Sequence, residues 1–307
     1  MFQCDGDNVC INKIDDMIAA VVVLYYPDAN VFINVLSYVN QVDLVVLVDN
    51  SDVSAGDFLA GFSENKKVLS ITNGSNLGIA AALNIGAREA IARGCDMLLT
   101  MDQDSRAEPR MVELLQGCLN SAGEQSVAIV SAFHLTSVTN PPAFSAPQYM
   151  EMETVWTSGN LLRLSAYQEA GPFNEALFID FVDHEYCLRL KRMGYRVVQS
   201  NRAILHHSIG NNLRKIDIAS ASLIVSNHSP LRRYYITRNR FLVTSKYREF
   251  KRFCWIDRRR FLAEMLTIML FEKQRYQKFK MILLGYLDYR LGRLGKYSVR
   301  SMKGGIG

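Results

Sequence analysis

Two carboxylates stand one residue apart in Asp102-Gln103-Asp104, directly after the apolar run Met97 to Met101. Such a pair offers the hard oxygen ligands that Mg²⁺ and Mn²⁺ prefer, and a cation bound there can also bind a diphosphate. Acting as a Lewis acid, the cation would neutralise charge that builds on a departing nucleoside diphosphate. A solvated acidic turn has the same sequence, but the position after an apolar run of strand length favours a metal site.

Two further polar segments follow apolar runs of strand length. Asp49 could accept hydrogen bonds from a nucleobase or a ribose hydroxyl, and it could equally close an Asx turn. Asn76 and Gly78 open an alanine-rich helix whose free N–H groups favour phosphate, although small residues also suit tight packing on a sheet. The GxGxxG and GxxxxGK[ST] patterns are absent, which removes the main support for dinucleotide and P-loop sites.

Acidic and imidazole groups recur later in the chain. Asp180, Asp183 and Glu185 cluster at the start of a predicted helix, where the helix dipole explains one or two carboxylates as caps. A third carboxylate among apolar neighbours could act as a general base, and Asp183 is the candidate. His207 follows an apolar run, where a neutral imidazole could complete the metal shell of Asp104 or serve the structure alone.

A parallel, wound α/β sheet would bring these residues together. Continuous apolar runs of strand length alternate with helical patterns, and such sheets bind ligands beyond the carboxyl ends of their strands. The predicted strands are Met17 to Leu24, Leu44 to Val48, Val68 to Ile71, Met97 to Met101, Val127 to Val130 and Arg196 to Ser200. The predicted helices are Leu77 to Ala92, Pro109 to Leu119 and Asp183 to Met193, and Ser137 to Gln148 is a predicted surface loop.

Composition limits the class of protein. The chain has 307 residues, of which 49% are hydrophobic and 21% charged, so it can bury a large core. Its 6 cysteines have no CxxC spacing and no secretory leader pattern is present, which predicts a reducing cytoplasm. The apolar stretches are shorter than the roughly 20 residues that cross a bilayer.

Charge is divided unevenly along the chain. Met1 to Leu231 carries 15 basic and 25 acidic residues, whereas Arg232 to Gly307 carries 20 basic and 5 acidic residues. The pattern predicts a catalytic body and a basic helical tail that either docks on an anionic inner-membrane surface or packs on the body or another subunit. The acidic body should repel phosphate backbones, so we expect no nucleic-acid partner.

A nucleotidyltransferase is the alternative enzyme class, since it also combines an α/β sheet with paired carboxylates. Its Gly-rich phosphate loop should follow the first strand, which instead ends in Tyr25-Tyr26-Pro27. Release of pyrophosphate rather than a nucleoside diphosphate would identify it.

The ordered set of motifs resembles the family-2 glycosyltransferases of GT-A fold, and within them the bacterial rhamnosyltransferase branch. The resemblance covers about residues 17 to 240 and rests on Val21-Val22-Val23-Leu24-Tyr25-Tyr26-Pro27, Asp49-Asn50-Ser51, Asn76-Leu77-Gly78-Ile79-Ala80, Asp102-Gln103-Asp104-Ser105, Thr157-Ser158-Gly159-Asn160, Phe178 to Arg189, His207-Ser208-Ile209-Gly210 and Arg232 to Arg240.

The resemblance implies an inverting enzyme that uses Mg²⁺ or Mn²⁺. It would move L-rhamnose from dTDP-L-rhamnose, or a sugar from another UDP-, GDP- or dTDP-sugar, to a saccharide acceptor on a lipid carrier in bacterial cell-surface polysaccharide synthesis. The implied fold is a GT-A type wound, mostly parallel sheet with a Rossmann-like nucleotide-binding half and a C-terminal basic helical appendage. The implied division is a loose head at 1–16, a catalytic domain at 17–230, with nucleotide-sugar binding at 17–135 and the acceptor side at 150–230, and the basic tail at 231–307.

The resemblance also implies roles for single residues. Asp183 would remove the acceptor proton, and Asp180 is the alternative base because Val182-Asp183-His184-Glu185 departs from the commoner Glu-Asp-x-Asp. The nucleotide sugar would contact Tyr25, Asp49, Asn76, Gly78 and Asp102, the metal would bind Asp104 and His207, with Asp102 as a further possible ligand, and the acceptor side would include Trp156, Gly159 and Asp180.

Overall fold

A computed structural model describes residues 16–123, 126–137, 139–143, 145–207, 214–218 and 221–298. The predicted loose head lies outside the described residues except for its last residue, as do Ser208 to Gly210 of the family resemblance. The strands are β1 (Ile18–Leu24), β2 (Leu44–Asp49), β3 (Val68–Thr72), β4 (Met97–Asp102), β5 (Ser105–Ala107), β6 (Val127–Leu135), β7 (Tyr149–Glu151), β8 (Asn160–Arg163), β9 (Arg196–His207), β10 (Arg214–Ile218) and β11 (Ala221–Val225). The helices are α1 (Ala29–Leu36), α2 (Gly56–Ala60), α3 (Ile79–Ala92), α4 (Met111–Ala122), α5 (Leu164–Ala170), α6 (Val182–Arg192), α7 (Pro230–Lys246), α8 (Lys251–Phe271) and α9 (Arg275–Arg290).

A nine-stranded sheet forms the centre of the fold, in the order β3-β2-β1-β4-β8-β6-β9-β5, with β7 paired to β9. The strands β3, β2, β1 and β4 are parallel, as are β6 and β9, which confirms the predicted wound α/β architecture. Strand β8 lies antiparallel between β4 and β6, so that β6 and β9 run in the direction of β4. The separate hairpin β10-β11 completes the strands among the described residues.

The sheet is buried on both faces, which explains the continuous apolar runs. All seven residues of β1 are buried, and successive side chains enter opposite cores. Val21 joins a core with residues of α3, α5 and α6, whereas Val22 joins a core with residues of α1 and α4. A Cβ on Gly86 of α3 would lie 2.1 Å from Val21 Cγ2, so glycine is required for this helix to approach the sheet.

The C-terminal helices pack partly as a second core. Helix α7 is buried along most of its length, and it meets α9 so closely that a Cβ on Gly285 would lie 2.5 Å from Tyr234 O. Part of the positive charge of this region is internal, because Arg233 and Lys278 both form buried ion pairs with Glu272, at 2.6 and 2.8 Å. None of the helices in the described ranges has the length and apolarity that crossing a membrane requires.

Candidate active site

Several strands deliver their polar ends to one edge of the sheet. In the parallel register, Leu24 at the end of β1 pairs with Asp49, and Val23 pairs with Asp102. Strand β9 runs in the same direction and ends at His207. The antiparallel β8 begins at this edge, since its first residue pairs with Thr100 near the end of β4. The strand that was predicted to end at Ser200 therefore continues to His207, which brings the imidazole to the acidic pair.

Asp102, Asp104 and His207 form a cluster that could hold a metal ion. One ligand atom from each of the three side chains lies within 4.8 Å of those of the other two. His207 Nδ1 lies 3.6 Å from Asp104 Oδ1, because Ser105 of β5 pairs with His207 of β9. Two carboxylates and an imidazole at this spacing suit a small divalent cation of the Mg²⁺ or Mn²⁺ type.

A chain of hydrogen bonds lies behind this cluster. The Asp102 backbone N–H donates to Ser158 Oγ at 3.0 Å, and the Ser158 hydroxyl donates to Ser105 Oγ at 2.8 Å. Ser105 Oγ lies 2.7 Å from His207 Nδ1, within hydrogen-bond distance. Both serines are fully buried, so their hydroxyls have no access to water and hold the strand ends in register. A hydrogen bond of this kind to one ring nitrogen is typical of histidines that bind a metal with the other.

Burial sets the protonation of the three candidate ligands. It raises the pKa of Asp102 to about 7, an effect that the nearby carboxylates of Asp104 and Asp183 increase and Arg232 opposes. Burial also raises the pKa of Asp104, while the nearby imidazole of His207 lowers it. Burial lowers the pKa of His207, so its imidazole tends to be neutral and can offer a lone pair. A bound cation would relieve the repulsion among these carboxylates, so the residues present fit the predicted metal.

Trp156 and Gly159 lie on the loop that leads into β8. The partly exposed Trp156 ring lies 5.9 Å from the His207 ring and 5.0 Å from the His134 ring, so it forms an aromatic wall beside the cluster. Gly159 has φ +75°, and a Cβ there would lie 2.8 Å from Leu205 Cδ2. Backbone conformation and packing against Leu205 therefore explain why residue 159 is a glycine.

A strained loop carries two of the acidic residues to the site. Phe178, Asp180 and Phe181 all have φ between +61° and +65°, a left-handed conformation that costs non-glycine residues free energy. Asn239 of α7 supports this loop, because its Nδ2 lies 2.9 Å from Leu177 O, 2.7 Å from Ile179 O and 2.9 Å from Asp180 O.

The neighbouring Arg238 adds a further contact to the same loop. Its Nη2 donates to Leu177 O at 3.0 Å, and its Nη1 donates to Gly295 O at 2.7 Å. The basic helix that the sequence marked as a tail thus supports the site from behind, a role that sequence reasoning missed.

Asp180 and Asp183 have different surroundings. The Asp180 carboxylate lies 3.1 Å from Arg232 Nη2, and burial raises its pKa while Arg232 opposes the rise. Asp183 is the second residue of α6, and its Oδ1 accepts the His184 N–H at 2.8 Å. Both face a cavity of about 720 Å³, whose lining includes Asp102, Asp104, Trp156, Asp180, Asp183, His184, His207, His228 and Arg232.

Of the predicted donor-side residues, Asp102 lines that cavity, whereas Tyr25, Asp49, Asn76 and Gly78 are outside its lining. Asp49 is fully buried, and its two carboxylate oxygens accept the backbone N–H groups of Ser51 at 3.0 Å and Ala55 at 2.8 Å. It therefore closes the loop after β2. Tyr25 is exposed at the end of β1, and its backbone N–H donates to Gln103 Oε1 at 2.7 Å. The middle residue of the acidic triplet thus ties two strand ends together.

Asn76 and Gly78 shape the entry to α3. Asn76 Oδ1 accepts the Gly78 N–H at 2.9 Å and the Asn50 side-chain amide at 3.1 Å. Gly78 has φ +90°, and a Cβ there would lie 2.6 Å from Phe178 O, so glycine is required where the strained loop meets the helix. The Ile79 N–H donates to the same carbonyl at 2.7 Å.

Residues 23–160 match the family described as Glycosyl transferase family 2. The dTDP-rhamnosyl transferase RfbF of Shigella flexneri is 30% identical over an alignment of 244 residues, which covers 75% of this chain and 80% of that protein.

Solved structures show the same fold at low sequence identity. The structure of GalNAc-T7 with UDP, GalNAc and Mn²⁺ superposes with a TM-score of 0.55 at 11% identity, covering 73% of this chain and 47% of that chain. The structure of S. aureus TarS 1-349 in complex with UDP-GlcNAc gives a TM-score of 0.52 at 12% identity, covering 90% of this chain and 73% of that chain. This chain thus spans about half the length of the GalNAc-T7 chain.

Proposed function

This chain belongs to glycosyl transferase family 2, and from that premise we propose that it moves L-rhamnose from dTDP-L-rhamnose to a saccharide acceptor. The observation that carries the proposal is a single cavity in which Asp102, Asp104 and His207 face Asp183. The printed name of the Shigella relative supports dTDP-rhamnose as the donor, with another UDP-, GDP- or dTDP-sugar as the alternative.

Asp104 and His207, with Asp102, are the residues that would hold Mg²⁺ or Mn²⁺. When bound, the cation would stabilise the negative charge of the departing nucleoside diphosphate. Support comes from the spacing of the three ligand atoms and from the Mn²⁺ in the GalNAc-T7 structure. Asp102, at the base of the cluster, is also our candidate for the ribose contact.

Asp183 is our candidate for the general base. Its carboxylate would take the proton of the acceptor hydroxyl as that oxygen attacks the anomeric carbon, while the bond to the donor phosphate breaks. A single displacement of this kind inverts the anomeric centre. Asp180 is the weaker candidate because Arg232 holds its carboxylate, whereas the Asp183 carboxylate faces the cavity and forms no such pair with an arginine in the described contacts.

The remaining donor and acceptor contacts are predictions from the resemblance. Tyr25 has the exposed ring that could stack on a nucleobase, while Asp49, Asn76 and Gly78 would act by shaping the loops around the donor. Trp156 offers an apolar ring of the kind that packs against a sugar, so we assign it to the acceptor side with Gly159.

We further propose that the acceptor is lipid-linked and that the protein contacts the inner face of the cell membrane through α8 and α9. Support comes from exposed apolar side chains on both helices, together with arginines that favour an anionic surface. The exposed apolar side chains are Trp255, Leu262, Leu266, Met269, Leu270, Phe271, Tyr276, Phe279, Leu283 and Leu287.

A donor panel tests the proposed transfer. The purified chain is offered dTDP-rhamnose and UDP-, GDP- and other dTDP-sugars with a bacterial lipid-linked saccharide extract, and nucleotide release is measured with Mg²⁺, Mn²⁺ or a chelator. We expect release of dTDP that the chelator suppresses. Release of pyrophosphate would instead support nucleotidyl transfer.

The same assay with Asp183→Asn tests the base. Turnover should fall by roughly 10²- to 10⁴-fold while dTDP binding is retained, because a base acts on the acceptor and not on donor affinity. Near-normal turnover of Asp183→Asn, with Asp180→Asn inactive, would move the base to Asp180.

A further inference from the structure

Arg232 differs from the other arginines of α7 in its exposure. Arg233 and Arg240 are buried, and Arg240 donates to both Asp257 and Glu264 with its full guanidinium. Arg232, in the first turn of the helix, keeps a side chain that is 48% exposed and lines the cavity. Its contacts to Asp180 are long for a charged pair, at 3.1 Å from Nη2 and 3.3 Å from Nε.

The cavity lining carries negative charge that a free guanidinium could balance. The carboxylates of Asp102, Asp104, Asp180 and Asp183 all line it, and a nucleoside diphosphate brings further negative charge. Arg240 is already neutralised by two carboxylates. Of the other two arginines in the lining, Arg232 and Arg260, Arg232 is the one whose charge acts on Asp102 and Asp104. A guanidinium presents a planar fork of donors that matches phosphate oxygens.

We propose that Arg232 binds the diphosphate of the nucleotide sugar, and that Asp180 holds this arginine in the donor-free protein and competes with the donor for it. The inference rests on the proposed function and adds to it the residue that contacts the leaving diphosphate. When the bond from the anomeric carbon to phosphate oxygen breaks, the electron pair stays on that oxygen, and the protonated guanidinium would stabilise the resulting charge. No proton moves from Arg232 in this step.

Two substitutions should shift the affinity for diphosphate in opposite directions. Arg232→Gln removes a charged donor, so the affinity for thymidine diphosphate should fall about 10- to 100-fold, with a much smaller change for thymidine monophosphate. Asp180→Asn removes the competitor, so thymidine diphosphate should bind up to about 5-fold more tightly. Asparagine tolerates the left-handed backbone of residue 180 as well as aspartate does, which keeps the loop intact.

Calorimetric titration of both nucleotides, with Mg²⁺ held constant, measures these changes. Arg93→Gln is the matched control, because that arginine forms a surface pair with Glu89, is 46% exposed and follows the last residue of α3, away from the cavity lining. It should leave both affinities unchanged. When Arg232→Gln and Asp180→Asn are combined, Asp180→Asn should not raise the affinity for thymidine diphosphate, because the arginine that it would release is absent.

Four results would overturn the inference. Parallel weakening by Arg232→Gln and Asp180→Asn would make the pair a structural support of the loop. Equal weakening of thymidine mono- and diphosphate by Arg232→Gln would exclude a specific contact with the leaving group. If the unmodified chain binds thymidine diphosphate and Arg232→Gln binds it equally well, the inference alone fails, whereas absence of binding by the unmodified chain rejects the proposed donor too.

Discussion

His134 is a buried imidazole behind the candidate metal ligands. Its Nε2 donates to Ser158 O at 2.8 Å, and burial lowers its pKa to about 4. The unfolded chain binds a proton at this histidine below about pH 6.5, whereas the folded chain stays neutral until about pH 4. The neutral histidine therefore contributes stability that is present above about pH 6.5 and lost as the pH falls toward about 4.

Substitution His134→Gln should weaken this pH dependence. Glutamine can donate to the same carbonyl but does not titrate, so the variant should lose less unfolding free energy between about pH 7.5 and about pH 4.5. The difference should be no more than about 3 kcal/mol. Urea unfolding of both proteins across this range measures it, and the same subtraction removes the contribution of His228, whose pKa burial also lowers to about 4. Identical pH profiles would mean that His134 titrates normally in the fold.

The acidic residues of the site could be predicted one by one, and their partners could not. Asp102 and Asp104 follow an apolar run, and the carboxyl ends of parallel strands must meet at one edge. The link between Ser105 and Ser158 depends on two residues 53 positions apart in sequence, so it follows from strand register and has no local signal. Arg232 was visible as part of a motif, but its pairing with Asp180 depends on tertiary packing.

At the scale of elements, the contact between α7 and the strained loop decides where Asp183 lies. Asn239→Leu keeps the side-chain volume but removes the amide that contacts three loop carbonyls, so residues in left-handed conformation can relax. We expect turnover to fall by about 100-fold, since a displacement of about 1 Å at a reacting group has that effect. The KM for the donor should change much less.

The comparison of kcat with KM separates positioning from general destabilisation. Ser245→Ala is the control on the same helix, because its hydroxyl donates only to Leu242 O within α7 in the described contacts. It should leave both constants unchanged. A uniform loss of active protein in Asn239→Leu, with unaltered kcat per folded molecule, would contradict the positioning role.

The long strands were predictable because burial on both faces requires continuous apolar runs, as in β1 and β4. The short strands β5, β7 and β8 have three or four residues, too few for a pattern, and they form because neighbouring strands offer backbone partners. Helix α7 was missed as part of the site because basic residues suggest exposure, whereas Arg233 and Arg240 are buried by ion pairs that only the fold creates.

At the scale of the whole molecule, α8 and α9 give a test of membrane contact. The purified chain should sediment with anionic vesicles at low salt and be released as salt screens the arginines. Replacing the exposed Leu262 and Leu266 by glutamate should abolish sedimentation without lowering thermal stability, because neither side chain is in the core. Ile33→Glu, an equally exposed position on α1, should have no effect.

The alternative is that the exposed apolar face of α8 and α9 serves self-association. In that case the unmodified chain would not bind vesicles but would form a concentration-dependent dimer, and the same leucine substitutions would dissociate it. The uneven charge of the chain predicts a separate basic region at the C-terminal end, but the net charge overstates the number of basic side chains available to a membrane. Arg233, Arg240 and Lys278 are committed to internal carboxylates.

Helix α7 also bears on how such enzymes can be recombined. The residue that we assign to the leaving diphosphate and the amide that fixes the Asp183 loop lie on one helix, seven positions apart. A chimera that takes its C-terminal helices from a relative would import these two contacts together with any change in membrane attachment. Exchanges that alter where the enzyme resides are therefore coupled to exchanges that alter how fast it turns over, unless the crossover point falls after Lys246.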